Sequence, residues 1–77
     1  MSDADQACNR ALGQRVRAAR DAAGLAQSAV ERRAGLVGAT IARLERGEGP
    51  GLTVPELIRV ATALGVEPAS LVPPAAS

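Results

Sequence analysis

Two short runs with the apolar spacing of helices, separated by one glycine, constrain this chain more than any other feature. The first run covers residues 27–34 and the second covers residues 38–46. Gly35 stands between them, and glycine adopts the left-handed backbone of a tight turn without steric cost. The stretch therefore predicts two short helices joined by a tight turn. Their apolar positions are Val30, Ala34, Ile41 and Leu44.

The second run has two different sides, which gives the stretch a functional interpretation. Two short helices that cross at a steep angle over a turn with glycine form a helix-turn-helix unit, and its second helix enters the major groove of DNA. Thr40, Ile41 and Leu44 fall on one side of the second run. The positions on the other side are Gly38, Ala39, Ala42, Arg43 and Arg46.

A longer amphipathic helix is predicted ahead of this unit, from about residue 6 to Ala23. Asp3 or Asp5 is expected to cap its first turn, because a carboxylate accepts hydrogen bonds from the unpaired amides there. Gly13 inside the helix costs about 1 kcal/mol relative to Ala, so we expect another backbone to approach closely at this position. The apolar stripe of the helix consists of Leu12, Val16, Ala19 and Ala23.

Two further helices are predicted after the unit, with no strand among them. Residues 53–56, TVPE, match a capping box, in which the Thr hydroxyl and the Glu carboxylate each bond the other's backbone amide. The fourth helix then runs to about Leu64, and a short fifth helix runs through Val72. The sequence is thus expected to fold as an all-α, compact five-helix bundle.

The size and composition of the chain limit its stability. Seventy-seven residues make one domain, with a core predicted over about 6–72 and flexible tails at 1–4 and 73–77. A domain this small buries only about 60% of its unfolded surface, and the chain has no aromatic side chain. We therefore expect a homodimer. Apolar residues beyond the needs of one small core, which would form its interface, are Leu52, Val66, Leu71 and Val72.

The net charge of +1 is divided unequally along the chain. Residues 1–47 carry eight Arg against five acids, a net charge of +3, whereas residues 48–77 carry one Arg against three acids, a net charge of −2. The positive charge therefore lies with the helix pair. All nine basic residues are Arg, which bonds phosphates and guanine edges in a bidentate manner. A GC-rich genome that favours Arg codons would explain the same bias.

What the sequence lacks argues against several classes of function. It contains no His and one Cys, so it offers no zinc ligand set, no internal disulfide and no catalytic base beside a nucleophile. We therefore expect no enzymatic activity, no metal and no cofactor, with Cys8 a buried or idle thiol. No apolar run approaches the roughly 18 residues that span a bilayer. We expect a cytoplasmic protein with no membrane partner and no small-molecule effector.

Three segments in order carry a resemblance to a known family. They are LGQRVRAARDAAGLAQ, RRAGLVGATIARLERG and LIRVATALGVEPASL, and together they extend from about Leu12 to Leu71. The sequence resembles the lambda-repressor-like, Cro-type helix-turn-helix DNA-binding domains of bacterial and phage repressors. The resemblance implies a five-helix fold, operator binding by helices two and three, and action as a dimer on a near-palindromic site. The positions that match the turns of the family are Gly24, Gly35 and Gly47.

The resemblance also implies roles for particular residues. Gln27 stands where the family has a Gln that bonds a phosphate or base edge and braces the recognition helix. Arg43 stands where the family places a side chain into the groove. Arg20 and Glu45 match a buried ion pair that ties helix one to the end of helix three. The DNA-binding residues expected from resemblance and spacing are Gln27, Val37, Gly38, Ala39, Ala42, Arg43 and Arg46.

Several positions depart from the family's pattern. Ala26 lacks the capping hydroxyl that is usual at its position. Val37, Gly38 and Ala39 replace a capping Ser or Thr and two polar residues that read bases, and they offer no side-chain hydrogen bond. Arg43 is therefore expected to supply most of the direct readout, at about 1–3 kcal/mol for one bidentate contact.

Glu31 is a further departure, because the family usually has a small residue at this position, facing helix three. We expect its carboxylate to reach solvent or to pair with Arg32 or Arg43. Phosphate contacts are expected from backbone amides near residues 51–53 and from a pool of arginines. The members of that pool are Arg10, Arg15, Arg17, Arg33 and Arg46.

Two functions of different classes follow. The first is a sequence-specific transcriptional regulator of bacterial or phage type, a homodimeric repressor or autoregulator that binds double-stranded DNA of the nucleoid at a near-palindromic operator. The second is a degenerate helix-turn-helix used as a protein-interaction or antitoxin-like module with weak DNA affinity. The apolar opening of helix three and a net charge near zero favour the second.

Overall fold

Five α-helices make up the fold, which is all-α as predicted. The computed structural model describes residues 2–74, and no strand occurs within that range. The helices are α1 (Asp3–Ala23), α2 (Gln27–Ala34), α3 (Thr40–Glu45), α4 (Val54–Leu64) and α5 (Pro68–Leu71). In the part of the chain that is described, no helix is both long and apolar enough to cross a membrane. The tail predictions for Met1 and residues 75–77 lie outside the described residues.

A single apolar core lies between the helices. Val16 of α1, Ile41 of α3 and Val60 of α4 are fully buried in it. Each such side chain contributes on the order of 1.5–3 kcal/mol when it is removed from water. The core consists of Leu12, Val16, Val30, Ala34, Ile41, Leu44, Val60, Ala61, Leu64 and Leu71.

The start of α1 differs from the prediction, whereas its end at Ala23 is confirmed. The helix begins at Asp3 rather than near residue 6, and its cap is Ser2, whose hydroxyl oxygen accepts a hydrogen bond of 3.1 Å from the amide of Asp5. The expectation that Asp3 or Asp5 provides the cap is therefore wrong. At the other end Ala23 is exposed, because the last turn of α1 extends beyond the core. Cys8 is also exposed.

The capping box at the start of α4 is confirmed. Thr53 Oγ1 accepts a hydrogen bond of 3.2 Å from the amide of Glu56, and Glu56 Oε1 accepts one of 2.8 Å from the amide of Thr53. Hydrogen bonds with Thr53, chiefly the one from its backbone amide, hold the pKa of Glu56 below its ordinary value. The Thr53 amide is thus bonded within the protein, and its use as a phosphate ligand stays a prediction.

The apolar surplus assigned to the C-terminal part is mostly used by the core. Leu71 is 1% exposed, and Leu52 and Val66 pack against the buried cluster. For Leu71 the expected place at a dimer surface is wrong, because α5 folds back over α1 and α4 and buries this side chain. For the half-buried Leu52 and Val66 it stays a prediction. Among the described residues, the large apolar side chains that remain exposed are Val37, Val54, Ile58 and Val72.

Candidate nucleic-acid interface

α1 and α3 pack closely against each other where Gly13 faces the backbone of Leu44. A Cβ atom added to Gly13 would collide with the carbonyl oxygen of Leu44 and would lie 2.8 Å from its carbonyl carbon. The absent side chain therefore lets the backbone of α3 pack directly on α1. This is the close approach that the sequence predicted at Gly13.

Arg20, Gln27 and Glu45 form a hydrogen-bonded group between α1, α2 and the end of α3. Arg20 donates to Glu45 through Nε at 2.7 Å and Nη2 at 2.9 Å, and Gln27 Nε2 donates to Glu45 Oε1 at 3.0 Å. The Glu45 side chain is 5% exposed and that of Arg20 is 14% exposed. Arg20 Nη1 also donates to the carbonyl of Leu25 at 2.8 Å. The group ties three elements to one carboxylate.

The charge of this group is set by opposing effects. Burial opposes ionisation of Glu45, but hydrogen bonds from Arg20 and Gln27 and the positive charge of Arg20 outweigh it and hold the pKa of Glu45 below its ordinary value. The bond to Glu45 likewise raises the pKa of Arg20. Both groups are therefore charged at neutral pH. The structure thus contains the ion pair that the resemblance implied.

The other end of α3 is held by Glu31 of α2. Glu31 is buried, and its Oε2 accepts a hydrogen bond of 2.9 Å from the backbone amide of Ile41. The expectation that this carboxylate reaches solvent or pairs with Arg32 or Arg43 is wrong. It is wrong because the first amides of α3 lack a side-chain cap of their own, and Glu31 lies close enough to supply one.

The turn between α2 and α3 is longer than predicted, so α3 begins at Thr40 rather than at Gly38. Gly35 has φ +66°, as the predicted turn requires. Ala39 also lies in the left-handed region, with φ +68°, and is the only non-glycine residue there among residues 2–74. The carbonyl of Val37 accepts both the hydroxyl of Thr40 at 2.6 Å and its amide at 3.2 Å. A hydrogen-bonded turn therefore replaces the first predicted turn of helix.

A bond from α4 fixes the end of α2. Arg59 Nε donates to the carbonyl of Ala34 at 2.8 Å, which satisfies one of the last acceptors of that helix. The helix pair is thus held from α1, from α4 and across its own turn. Rigid support of this kind is what a binding face on a six-residue helix requires.

The predicted DNA-facing residues lie together on the surface. Val37 is 78% exposed, Gly38, Ala39 and Arg43 are exposed, and Ala42 is half-buried. Ile41 and Leu44 fill the opposite side of α3 with core contacts. Among residues 2–74, no hydrogen bond or ion pair of the Arg43 side chain is observed. Gln27 is half-buried, and its Nε2 is used by Glu45.

Arg46, the last predicted DNA-binding residue, is paired. Its guanidinium donates to Glu48 through Nε at 2.9 Å and through Nη2 at 3.2 Å, and both side chains are more than half exposed. In the rest of the arginine pool, Arg15 donates to the carbonyl of Ser70 at 3.1 Å. Arg17 Nε lies 3.9 Å from Asp21 Oδ2.

Sequence reasoning missed two residues that shape this site, Glu48 and Arg59, and it assigned the wrong partner to a third, Glu31. Glu31 had a signal, since an acid at a position that faces another helix must find a donor. An acid two residues beyond Arg46 was also visible in the sequence. The bond from Arg59 to α2 had no local signal, because the two residues it joins are 25 positions apart.

Comparisons with known proteins agree with this geometry. A family model described as helix-turn-helix domain matches residues 11–73. The restriction-modification controller protein C.AhdI from Aeromonas hydrophila has a similar structure, with a TM-score of 0.78 and 34% identity over 84% of this chain and 97% of that chain. A structure described as FeII HppE has a TM-score of 0.77 and 28% identity over 87% of this chain but 35% of that chain. Comparison with curated proteins gives no match.

The short helices α2 and α3, joined by a turn that begins at Gly35, with the outer side of α3 exposed, form a helix-turn-helix. The chain belongs to the helix-turn-helix domain family, which confirms the resemblance stated from the sequence.

Proposed function

We propose that this protein is a DNA-binding transcriptional regulator that acts as a homodimeric repressor or autoregulator on a near-palindromic operator. The observation that carries the proposal is the support of α3. Glu31 holds its first turn and the group around Glu45 holds its last, while its outer side is left exposed. A helix fixed in this way keeps one register against a DNA groove, which base readout requires.

The readout that we propose centres on Arg43. Its exposed side chain has no hydrogen-bond or ion-pair partner among residues 2–74, so its guanidinium is available for a guanine edge in the major groove. The exposed Val37 side chain would make an apolar contact with the methyl group of a thymine. Gly38 and Ala39 bring the backbone close to the groove without reading it. Specificity would therefore combine one strong contact with the shape and half-site spacing of the DNA.

Dimerisation is the second part of the proposal. Val54 and Ile58 are one helical turn apart on α4 and are exposed, and Val72 beyond α5 is half exposed. A second copy that covers these side chains would bury apolar surface that a 77-residue domain leaves in water. Two copies would then present two α3 helices to the half-sites of one operator. Ile58→Glu should convert the dimer to a monomer in sedimentation equilibrium.

The relative C.AhdI supports the regulatory part of the proposal, because it is a restriction-modification controller protein and matches nearly over its whole length. We further infer that the protein acts by binding rather than by catalysis. The chain contains no His, and the exposed side of α3 presents a cation rather than a nucleophile beside a base.

Fluorescence anisotropy tests the proposal. The protein is titrated against a duplex from its own promoter region and against a scrambled duplex of equal length, at several salt concentrations. Selectivity of about a thousandfold or more for the promoter is the expected result. Weak and equal binding to both duplexes would overturn it.

A protein-interaction module is the alternative, and the exposure of Val37 favours it. Val37, Gly38 and Ala39 offer a partner protein an apolar and small-residue surface without a side-chain hydrogen bond. A protein that remains monomeric and has no measurable affinity for either duplex would support this alternative.

A further inference from the structure

We propose that Glu48 limits the affinity of this protein for DNA by competing with a backbone phosphate for Arg46. The proposal rests on the function proposed above. It assigns Glu48, which lies outside the expected DNA-binding set, to the control of that surface.

The geometry of the Arg46–Glu48 pair is that of an arginine on a phosphate. The carboxylate oxygens lie 2.9 Å from Nε and 3.2 Å from Nη2, so one edge of the guanidinium is occupied by two hydrogen bonds. Arginine binds phosphate through the same two parallel N–H donors. A phosphate can therefore use that edge of Arg46 only after the carboxylate has left.

Backbone hydrogen bonds hold Glu48 next to the end of α3. The amide of Glu48 donates to the carbonyl of Arg43 at 2.9 Å, and the amide of Gly47 donates to that of Leu44 at 3.0 Å. Gly47 has φ +75°, so these two bonds form the motif that commonly ends a helix. The carboxylate is thus attached to the end of α3 itself, two residues from Arg46.

The negative charge also acts on Arg43. The hydrogen bond from Arg46, with the positive charges of Arg46 and Arg43, holds the pKa of Glu48 below its ordinary value. The carboxylate therefore stays ionised at neutral pH beside both arginines. Because a phosphate contact of Arg46 forms whatever the base sequence, the effect of the competition should be equal for cognate and random DNA.

Glu48→Gln is the test, and Glu67→Gln is the matched control. Both variants remove one negative charge, but Glu67 lies exposed at the start of α5, which packs on α4 and α1 rather than on α3. Each variant is titrated against the promoter duplex and the scrambled duplex by anisotropy between 50 and 200 mM salt. Thermal unfolding of both variants checks that the fold is intact.

Glu48→Gln should tighten binding to both duplexes by about threefold to tenfold and should steepen the salt dependence by about one phosphate contact. Glu67→Gln should change affinity by less than about twofold, because the distant charge is screened. In an Arg46→Gln background, Glu48→Gln should lose most of its effect on affinity, because the guanidinium for which the carboxylate and the phosphate compete is then absent.

The possible outcomes separate this inference from the proposed function. If the wild type selects its promoter but Glu48→Gln behaves like Glu67→Gln, competition by Glu48 is refuted and the regulator stands. If Glu48→Gln tightens binding equally in the presence and absence of Arg46, the competition is also refuted. If no variant binds either duplex, both proposals fail.

Discussion

Glu31 on α2 accepts a hydrogen bond from the backbone amide of Ile41 on α3, with 2.9 Å between Oε2 and the nitrogen. This bond crosses the turn of the helix-turn-helix and supplies the cap that Ala39 cannot. Ala39 has no side-chain oxygen, and its left-handed backbone makes the start of α3 unusual. A buried acid on one helix therefore caps the first turn of the next.

Replacing Glu31 by Ala should lower the free energy of unfolding by about 1–3 kcal/mol. The substitution leaves the buried amide of Ile41 without an acceptor, and that desolvation cost is not recovered elsewhere. Urea denaturation followed by circular dichroism measures the change. Glu31→Gln keeps an acceptor oxygen and should retain most of the stability. Equal losses in the Ala and Gln variants would show that the hydrogen bond is not what Glu31 contributes.

Replacing Gly13 by Ala should destabilise the protein, although Ala normally favours a helix by about 1 kcal/mol. The new methyl group would collide with the backbone of Leu44, which cannot rotate away, so α1 and α3 must separate. We expect a loss of about 1–3 kcal/mol. Gly38→Ala is the control, because nothing lies within 4 Å of the added atom. A Gly13→Ala protein as stable as wild type would contradict the packing described here.

Replacing Ala39 by Gly should raise the free energy of unfolding by about 0.5–1 kcal/mol. Glycine adopts φ +68° without the steric cost that Ala bears there, and this gain exceeds its larger chain entropy when unfolded. Ala18→Gly, at an exposed position inside α1, should lower stability by about 1 kcal/mol. Differential scanning calorimetry should show that the two substitutions change the free energy of unfolding in opposite directions. Changes in the same direction would contradict the prediction.

Stability should fall as the pH drops below the ordinary Glu pKa of 4.5, in part because of Glu45. Its pKa is lowered in the folded protein, so below that pH the unfolded chain binds more protons and is favoured. The contribution is complete above pH 4.5 and is lost as the pH falls through the lowered folded value. Glu45→Gln should therefore show a shallower decline of stability in urea titrations across this range. Parallel curves would assign the acid sensitivity to other groups.

Replacing Arg43 by Ala should weaken binding to the promoter duplex by about 1–3 kcal/mol and binding to scrambled DNA much less. The reason is that a base contact contributes only where the matching base is present, whereas a phosphate contact contributes everywhere. Arg33→Ala, at an exposed position on α2, serves as the comparison and should weaken binding to the two duplexes equally. If Arg43→Ala lowers the affinity for the promoter duplex and for scrambled DNA equally, Arg43 contacts a phosphate and not a base.

Local patterns predicted the elements whose causes are local. The bounds of α2 and the capping box at Thr53 were correct, because apolar spacing, a left-handed glycine and a Thr–Glu pair act within a few residues. The start of α3 was placed two residues early, because residues 38–39 read as helix and the left-handed backbone of Ala39 has no sequence signature. The DNA-binding roles of the residues on α3 stay predictions.

The sequence by itself determined the number and order of the helices, the turn at Gly35 and the apolar stripes, since these depend on periodicity and on neighbours along the chain. Only the tertiary structure decided that Leu71 belongs to the core and not to an interface, and that Glu31 is a cap and not a solvent-exposed charge. Both outcomes depend on which distant backbone or side chain comes within contact distance. That distance is set when the helices pack against one another, and a single segment does not carry it.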